Sequence, residues 1–257
     1  MKNFYTSASE FFSTLGPGES VYFLVRHGER GRILAGDPHH GAFVGLTETG
    51  REQALNLGWV MGAAFNSNEF FKSCPAEKSV SLFSSPVGRC METAENIGRG
   101  LYETAFGNSV ARCRPCVEPL QPLAEFFVQH YEAYMETHTT GFYQGICRWL
   151  EGSACNPDYS DPAYYPLARR SREMLDFLLE RGRGRLNVFC SHDAWIVPCL
   201  AYFCKFKFTP RLWMNFLTGI AFVVRNALPD AKDTTNAQPH IDRIVAVTGL
   251  EDGNMYF

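Results

Sequence analysis

Two histidines of this sequence stand where short apolar runs end. A single residue separates the run 21–25 from His27, and a single residue separates the run 186–190 from His192. The run 21–25 is apolar throughout, and the run 186–190 is apolar except at Asn187. Short runs of this kind are typical of buried strands in a parallel sheet. Because ligands of an open α/β sheet bind outside the carboxyl ends of its strands, we expect both histidines at one crevice.

Arginines accompany the two histidines. Arg26 and Arg30 flank His27, and Arg89 follows a third predicted strand, 80–83, one turn into the next predicted helix. Guanidinium groups stay charged and hold phosphate oxygens bidentately, so an arginine cluster in a cleft predicts a phosphate site. A neutral imidazole among them can attack phosphorus, and positive neighbours help to keep it neutral. The second histidine can donate to the transferring oxygens, and a nearby carboxylic acid must protonate the departing alkoxide.

Four motifs, in this order, resemble the histidine phosphatase superfamily, which is also called phosphoglycerate-mutase-like. They are Arg26-His27-Gly28, Leu46-Thr-Glu-Thr-Gly50, Ser84-Ser-Pro86 with Arg89 and Glu92-Thr-Ala94, and Ser191-His192. The resemblance implies that Arg26 and Arg89 bind the phosphate, that His27 is the nucleophile and that His192 assists it. It implies no metal and no organic cofactor.

The proton donor differs between the two branches of this superfamily, and the sequence carries features of both. The phosphoglycerate-mutase-like branch takes its acid from a Glu of an insertion, which points to Glu125. The acid-phosphatase and phytase branch has an Arg two residues after the motif's Gly, matched by Arg30, and an Asp directly after the second histidine, matched by Asp193. The resemblance places the chain in the first branch with a site detail of the second. We prefer Asp193 as the acid and keep Glu125 as the alternative, although Asp193 can also cap a helix that begins at Ala194.

The elements that must position these residues alternate between short apolar runs and longer helical patterns. This order predicts an α/β fold, a three-layer sandwich with a mostly parallel central sheet flanked by helices. The first long helix is predicted to begin at a capping box formed by Thr49 and Glu52, with Thr47 as a second N-cap candidate. Residues 106–166 are predicted to form a mainly helical capping insertion, with helical pieces near 126–138 and 142–150. The chain, 1–257, is predicted to be a single domain.

Composition narrows the classes of partner and location. The formal net charge of the 257 residues is −3, so no overall charge attracts the chain to nucleic acid or to an anionic membrane. No apolar stretch reaches the length of a membrane span, and the first twenty residues lack the apolar core of a secretory signal. Nine scattered cysteines predict a reducing cytoplasm, and the pair Cys113 and Cys116 has no second pair with which to hold zinc.

We therefore predict a cytoplasmic, metal-independent phosphomonoesterase that acts through a phosphohistidine on His27. Its substrate would be a phosphorylated small molecule or a phosphoprotein, and the sequence fixes neither the substrate nor the oligomeric state. The alternatives are phosphoryl transfer of the phosphoglycerate-mutase type and a non-catalytic, phosphate-binding regulatory protein. The segment 251–257 is acidic and then apolar, without Lys or Arg, which favours hydrolysis over a mutase.

Overall fold

The computed structural model of the chain describes residues 4–34, 36–37, 39, 41–67, 79–106, 116–156, 158–225 and 240–257, without the side chains of 65–67 and 106. Its strands are β1 (Thr6–Ser7), β2 (Glu19–Arg26), β3 (Val80–Ser84), β4 (Val117–Pro119), β5 (Leu186–Ser191), β6 (Leu212–Met214), β7 (Thr218–Arg225), β8 (His240–Thr248) and β9 (Asn254–Tyr256). Its helices are α1 (Ala8–Ser13), α2 (Glu48–Ser67), α3 (Gly88–Phe106), α4 (Pro122–Glu125), α5 (Tyr131–Thr140), α6 (Phe142–Cys155), α7 (Leu167–Arg181) and α8 (Asp193–Phe203). Cys113 lies outside the described residues, as does the rest of the segment 107–115.

The central sheet of the described residues has the strand order β1-β8-β7-β2-β5-β3-β4. Strands β2, β5 and β3 are neighbours and run parallel. Strand β7 is antiparallel to both β2 and β8, and β6 forms a separate antiparallel pair with β9. The predicted, mostly parallel sheet is confirmed, and the carboxyl ends of β2, β5 and β3 lie side by side.

Alternate side chains of β2 enter two separate cores. Phe23 and Val25 pack in a core with residues of α1, α2 and α3, whereas Leu24 packs on the opposite face with residues of α4, α6, α7 and α8. A sheet that is covered on both faces needs apolar residues at successive positions, which is why the run 21–25 of β2 shows no polar alternation. The predicted three-layer α/β arrangement is confirmed.

Helices α2 and α3 cross at very close range on one face of the sheet. A Cβ atom on Gly100 of α3 would overlap the carbonyl oxygen of Leu55 in α2, so only glycine permits this approach. The crossing fixes the position of α3, whose first turn carries Arg89.

Two helix starts differ from those predicted from the sequence. Thr47, rather than Thr49, caps α2, because the backbone N–H of Gly50 donates to Thr47 Oγ1 at 3.0 Å. Helix α8 begins at Asp193 itself, and His192 takes the N-cap position. The physical reason is that Arg26 and Trp213, which belong to other elements, bind one carboxylate oxygen of Asp193.

The helical pieces predicted for the insertion are only partly correct. The piece near 142–150 is confirmed and extends to Cys155 in α6, whereas the piece near 126–138 is wrong at its start, because α5 begins at Tyr131. Before it, the backbone N–H of Gln129 donates to Ala163 O at 2.8 Å, a pairing that a continuous helix would prevent. The extent of the insertion and the single-domain assignment stay predictions. None of the described helices is long and apolar enough to cross a membrane.

Candidate active site

The two histidines leave neighbouring strand ends. Arg26 at the end of β2 is the register partner of Ser191 at the end of β5, and the residue that follows each is a histidine. The rings of His27 and His192 are 5.6 Å apart between centroids, and both side chains are buried. The structure thus brings the two sequence-predicted histidines together.

His27 is held as a neutral imidazole with one particular nitrogen available. Its Nδ1 lies 2.8 Å from the carbonyl oxygen of Gly28, which can only accept, so Nδ1 carries the proton. Its Nε2 accepts from Arg89 Nε at 3.1 Å. Burial, followed by Arg26, the neighbouring His192 and Arg89, holds the pKa of His27 well below 6.5, although the Gly28 carbonyl partly offsets this. The lone pair of Nε2 is therefore the available nucleophile.

Gly28 also allows the loop after β2 to approach α2. A Cβ atom at this position would lie 2.6 Å from the carbonyl oxygen of Gly50. The backbone N–H of Gly28 donates to Thr93 Oγ1 at 3.0 Å, and Thr93 in turn donates to Arg89 O at 2.7 Å. The His27 loop is thereby fastened to the helix that carries Arg89.

Arg89 bridges the two histidines. Its Nε donates to His27 Nε2, its Nη2 lies 3.2 Å from His192 Nδ1, and its Nη1 donates to Gly41 O at 2.6 Å. Because a guanidinium only donates, His192 Nδ1 must accept, and His192 Nε2 then donates to Ser85 Oγ at 3.1 Å. A charged donor thus stands directly between the two rings.

Arg26 is almost completely buried, with 2% of its surface exposed. Its Nη1 donates to Met214 O at 2.6 Å, its Nη2 contacts Asp193 Oδ2 at 2.8 Å, and its guanidinium lies 4.3 Å from the centroid of the Phe216 ring. Its Nε is buried and has no hydrogen-bond partner in the part of the chain that the structure describes. Burial is the main cause that lowers the pKa of Arg26, and the charge of Arg30 adds to it.

Arg30 lies near this site, where its charge acts on both Arg26 and Arg89. It is half-buried and donates from Nη1 to Gly31 O at 2.9 Å. Burial lowers the pKa of Arg89 as well, and the charge of Arg30 again contributes. The three sequence-predicted arginines therefore share one positively charged region around His27.

Asp193 carries an ionised carboxylate in this arrangement. Its Oδ2 accepts from Arg26 Nη2 at 2.8 Å and from Trp213 Nε1 at 3.0 Å, and its Oδ1 accepts from the backbone N–H of Ala194 at 3.0 Å. Burial alone would raise the pKa of Asp193, but the charge of Arg26, the indole hydrogen bond and further favourable contacts outweigh it and leave the pKa below 3.8.

Glu125 is the last residue of α4 and is exposed. Within the described residues, its carboxylate makes no hydrogen bond and no ion pair. The two residues before it are anchored beside the second histidine: Leu123 O accepts from Ser191 Oγ at 2.7 Å, and Ala124 O accepts from the indole of Trp195. The helix end that carries Glu125 is thus fixed to the strand end that leads into His192.

Five site residues were not singled out from the sequence. Ser85, Cys90 and Thr93 contact His192 or Gly28, with Cys90 Sγ 3.6 Å from His192 Nε2. These three lie inside the motif 84–94, so the motif was a signal that could have identified them. Phe216, whose ring centroid is 5.8 Å from that of His27, and Trp213 belong to an aromatic segment with no motif, and only the fold reveals them.

This arrangement can bind and transfer a phosphoryl group. A neutral nitrogen nucleophile adjoins two guanidinium groups and a second imidazole, which supply donors for oxygens that gain charge in the transition state. Among the described residues, no group of three or more His, Cys, Asp and Glu side chains could hold a metal ion.

A family model matches a stretch in the N-terminal half of the sequence. Residues 33–122 match the histidine phosphatase superfamily (branch 2). The matched stretch contains the motifs 46–50 and 84–94, and it lies between His27 and His192. Over these residues, the match agrees with the resemblance to the superfamily that the sequence motifs carry. Because the matched model is that of branch 2, it does not support the motif-based placement in the phosphoglycerate-mutase-like branch.

Three of the solved structures that resemble this chain are the following. The native mycobacterial glucosyl-3-phosphoglycerate phosphatase is 17% identical, with a TM-score of 0.46, and the match covers 87% of this chain and 97% of that one. YhfR of Bacillus stearothermophilus is 17% identical, with a TM-score of 0.43 and coverages of 86% and 95%. The phosphoserine phosphatase of Entamoeba histolytica in complex with 3-phosphoglyceric acid is 15% identical, with a TM-score of 0.44 and coverages of 89% and 98%. No curated protein sequence matches this chain.

Proposed function

We propose, from the premise that this chain is a phosphatase of the histidine phosphatase superfamily, that it hydrolyses phosphomonoesters through a phosphohistidine on His27, without a metal. The observation that carries the proposal is the state of His27. Its Nδ1 is held by Gly28 O at 2.8 Å, and its Nε2 accepts from Arg89 at 3.1 Å. Nε2 is therefore an unprotonated nucleophile that already faces a phosphate-binding side chain.

Phosphate binding would fall to the donors around Nε2. In the proposal, the phosphate oxygens replace His27 and His192 as acceptors of Arg89, and they also accept from Arg26 and Arg30. His192 assists by donating from Nδ1, which requires that nitrogen to be protonated once the phosphate dianion is bound. This places each donor on an oxygen that gains charge during transfer.

The proton donor of the proposal is Glu125 rather than Asp193. A general acid must carry a proton before the ester bond breaks, and three donors already occupy the carboxylate of Asp193. Glu125 has a carboxylate free of such contacts among the described residues, on a helix end anchored to Ser191. The preference for Asp193 drawn from the sequence is therefore reversed in this proposal.

The reaction then runs in two balanced steps. First, His27 Nε2 forms a bond to phosphorus while the bond from phosphorus to the ester oxygen breaks, and Glu125 gives its proton to the departing alkoxide. Second, a water molecule gives a proton to the Glu125 carboxylate and attacks phosphorus. The bond from phosphorus to Nε2 breaks, inorganic phosphate leaves, and the protonated Glu125 is restored.

The proposal extends to partners and location. The substrate would be a phosphorylated small molecule or a phosphoprotein, with no nucleic acid and no membrane as partner. A cytoplasmic location is supported by the seven described cysteines, which are all free thiols. No contact among the described residues favours either alternative, the mutase or the non-catalytic phosphate binder.

The test is hydrolysis of p-nitrophenyl phosphate by the full chain in the presence of EDTA. We expect activity that EDTA leaves intact and that His27→Ala abolishes. The matched control is His240→Ala, which removes an exposed histidine at the start of β8 and should keep wild-type activity. A wild-type protein that is inactive on a broad panel of phosphomonoesters, or that needs a metal, would refute the proposal.

A further inference from the structure

We infer that Trp213 and Asp193 are positioning residues for Arg26. The indole N–H of Trp213 holds the carboxylate of Asp193, and this carboxylate orients the Arg26 guanidinium so that the Nε–H of Arg26 is free to donate to the phosphate. The inference rests on the proposed function and adds two residues to it. It also assigns Asp193 a task that needs no proton transfer.

The hydrogen bonds of Arg26 show which of its N–H groups is left to bind a ligand. Nη1 donates to Met214 O at 2.6 Å, and Nη2 contacts Asp193 Oδ2 at 2.8 Å. The Phe216 ring covers one face of the guanidinium at 4.3 Å. Among the described residues, Nε has no partner, although it is buried in a side chain that is 2% exposed. A buried, charged donor without an acceptor is costly, so its persistence here marks the place of an oxygen supplied by a ligand.

Trp213 is fixed well enough to orient the carboxylate. It is completely buried in β6, and its ring centroid is 5.0 Å from that of Tyr143 and 5.7 Å from that of Phe208. Its Nε1 lies 3.0 Å from Asp193 Oδ2, the same oxygen that contacts Arg26. The indole therefore holds the carboxylate oxygen in the place where it can meet Nη2.

Several elements contribute the charged and titratable groups around Asp193. They are Arg26 from β2, Arg89 from α3, Tyr134 from α5, Tyr143 from α6 and the adjacent His192. Arg26 and the indole of Trp213 are the strongest groups that favour the ionised carboxylate. If the indole hydrogen bond is removed, the pKa of Asp193 must rise, and the contact with Arg26 will weaken as the pH falls.

A positioning residue and a proton donor leave different kinetic signatures. Loss of a proton donor slows substrates with poor leaving groups and spares p-nitrophenyl phosphate, whose leaving group needs little protonation. Loss of a residue that orients Arg26 weakens phosphate binding equally for both kinds of substrate. The two roles of Asp193 can therefore be separated by comparing leaving groups.

The experiment compares Trp213→Phe and Asp193→Asn with wild type. It measures kcat and KM for p-nitrophenyl phosphate and glycerol 2-phosphate, and the inhibition constant of inorganic phosphate. The surface variants Trp59→Phe and Asp242→Asn are matched controls, because Trp59 donates its indole N–H to Glu103 at 3.3 Å and Asp242 contacts Arg225 at 3.3 Å. Asp193→Asn is nearly isosteric, so it decides the question even if Trp213→Phe does not fold.

We expect Trp213→Phe to raise the phosphate inhibition constant about tenfold, as the loss of one hydrogen bond to a charged group does. Asp193→Asn should lower kcat/KM by a similar factor for both substrates. The acid limb of kcat/KM should move to higher pH in Trp213→Phe and stay in place in Trp59→Phe. A loss confined to glycerol 2-phosphate would make Asp193 the proton donor and overturn the inference, as would variants indistinguishable from their controls. Inactive wild type or active His27→Ala would instead refute the proposed function.

Discussion

Replacing Arg89 by Lys tests the role of a guanidinium that touches both histidines. Arg89 donates from Nε to His27 at 3.1 Å, and from Nη2 to His192 at 3.2 Å. A lysine ammonium keeps the positive charge but is a single donor centre, so it cannot occupy both positions. In the transition state, these two positions belong to oxygens of the transferring phosphoryl group.

The size of the effect follows from the lost contact. One charge-assisted hydrogen bond is lost in Arg89→Lys, and such a bond contributes about 1.5–3 kcal/mol. Because about 1.4 kcal/mol corresponds to a factor of ten, kcat/KM should fall by roughly 10-fold to 150-fold. The overall attraction for a phosphate dianion should persist, since the charge is unchanged.

The assay is steady-state hydrolysis of p-nitrophenyl phosphate, with thermal unfolding as a check on folding. Arg99→Lys is the matched control on the same helix, because Arg99 is exposed and donates its Nε to Glu103 at 2.9 Å. The control should retain wild-type kcat/KM. If folded Arg89→Lys loses less than threefold, the bridging role that we assign to Arg89 is refuted.

Three further predictions concern the acid, the nucleophile and the helix packing. Glu125→Gln should reduce turnover of glycerol 2-phosphate by about 100-fold or more and leave turnover of p-nitrophenyl phosphate nearly unchanged. Glu132→Gln, at an exposed position, should change neither rate. Equal losses on both substrates would exclude Glu125 as the acid. Because burial and neighbouring positive charges hold the pKa of His27 well below 6.5, its imidazole should stay neutral from pH 8 down to pH 6.5 and protonate only in more acidic solution. NMR titration of the ring can check this, and a midpoint at or above pH 6.5 would contradict it. Gly100→Ala should lower the free energy of unfolding, measured in urea titrations, by about 1–3 kcal/mol, because its Cβ would overlap Leu55 O. The control Gly88→Ala, whose Cβ would meet no atom within 4 Å, should leave that free energy unchanged. Equal free energies for the two variants would contradict the close helix crossing.

The strand ends and their histidines could be predicted from the sequence because each signal is local. The run before His27 is apolar at successive positions, and the run before His192 is apolar except at the buried Asn187, as burial on both faces of a parallel sheet requires. The position of Arg89 followed from its place one turn into a helix after a strand. The parallel pairing of β2 with β5 then brought these residues together.

The environment of Asp193 could not be predicted, because it depends on contacts that are distant in sequence. Its partners Arg26 and Trp213 come from β2 and β6, and no local pattern links them. The same holds for Phe216, which covers Arg26 from a segment without a motif. The early break before α5 also has a tertiary cause, the bond from Gln129 N–H to Ala163 O.

Trapping the covalent intermediate tests the central claim most directly. The full chain is mixed with a ³²P-labelled phosphomonoester and quenched within milliseconds, and the labelled peptide is located by mass spectrometry. We predict phosphate on His27 that is labile in acid and stable in alkali, and that is absent from His27→Ala. Turnover by wild type without phosphate on His27 at any quench time, together with inversion of configuration at phosphorus, would contradict the phosphohistidine mechanism.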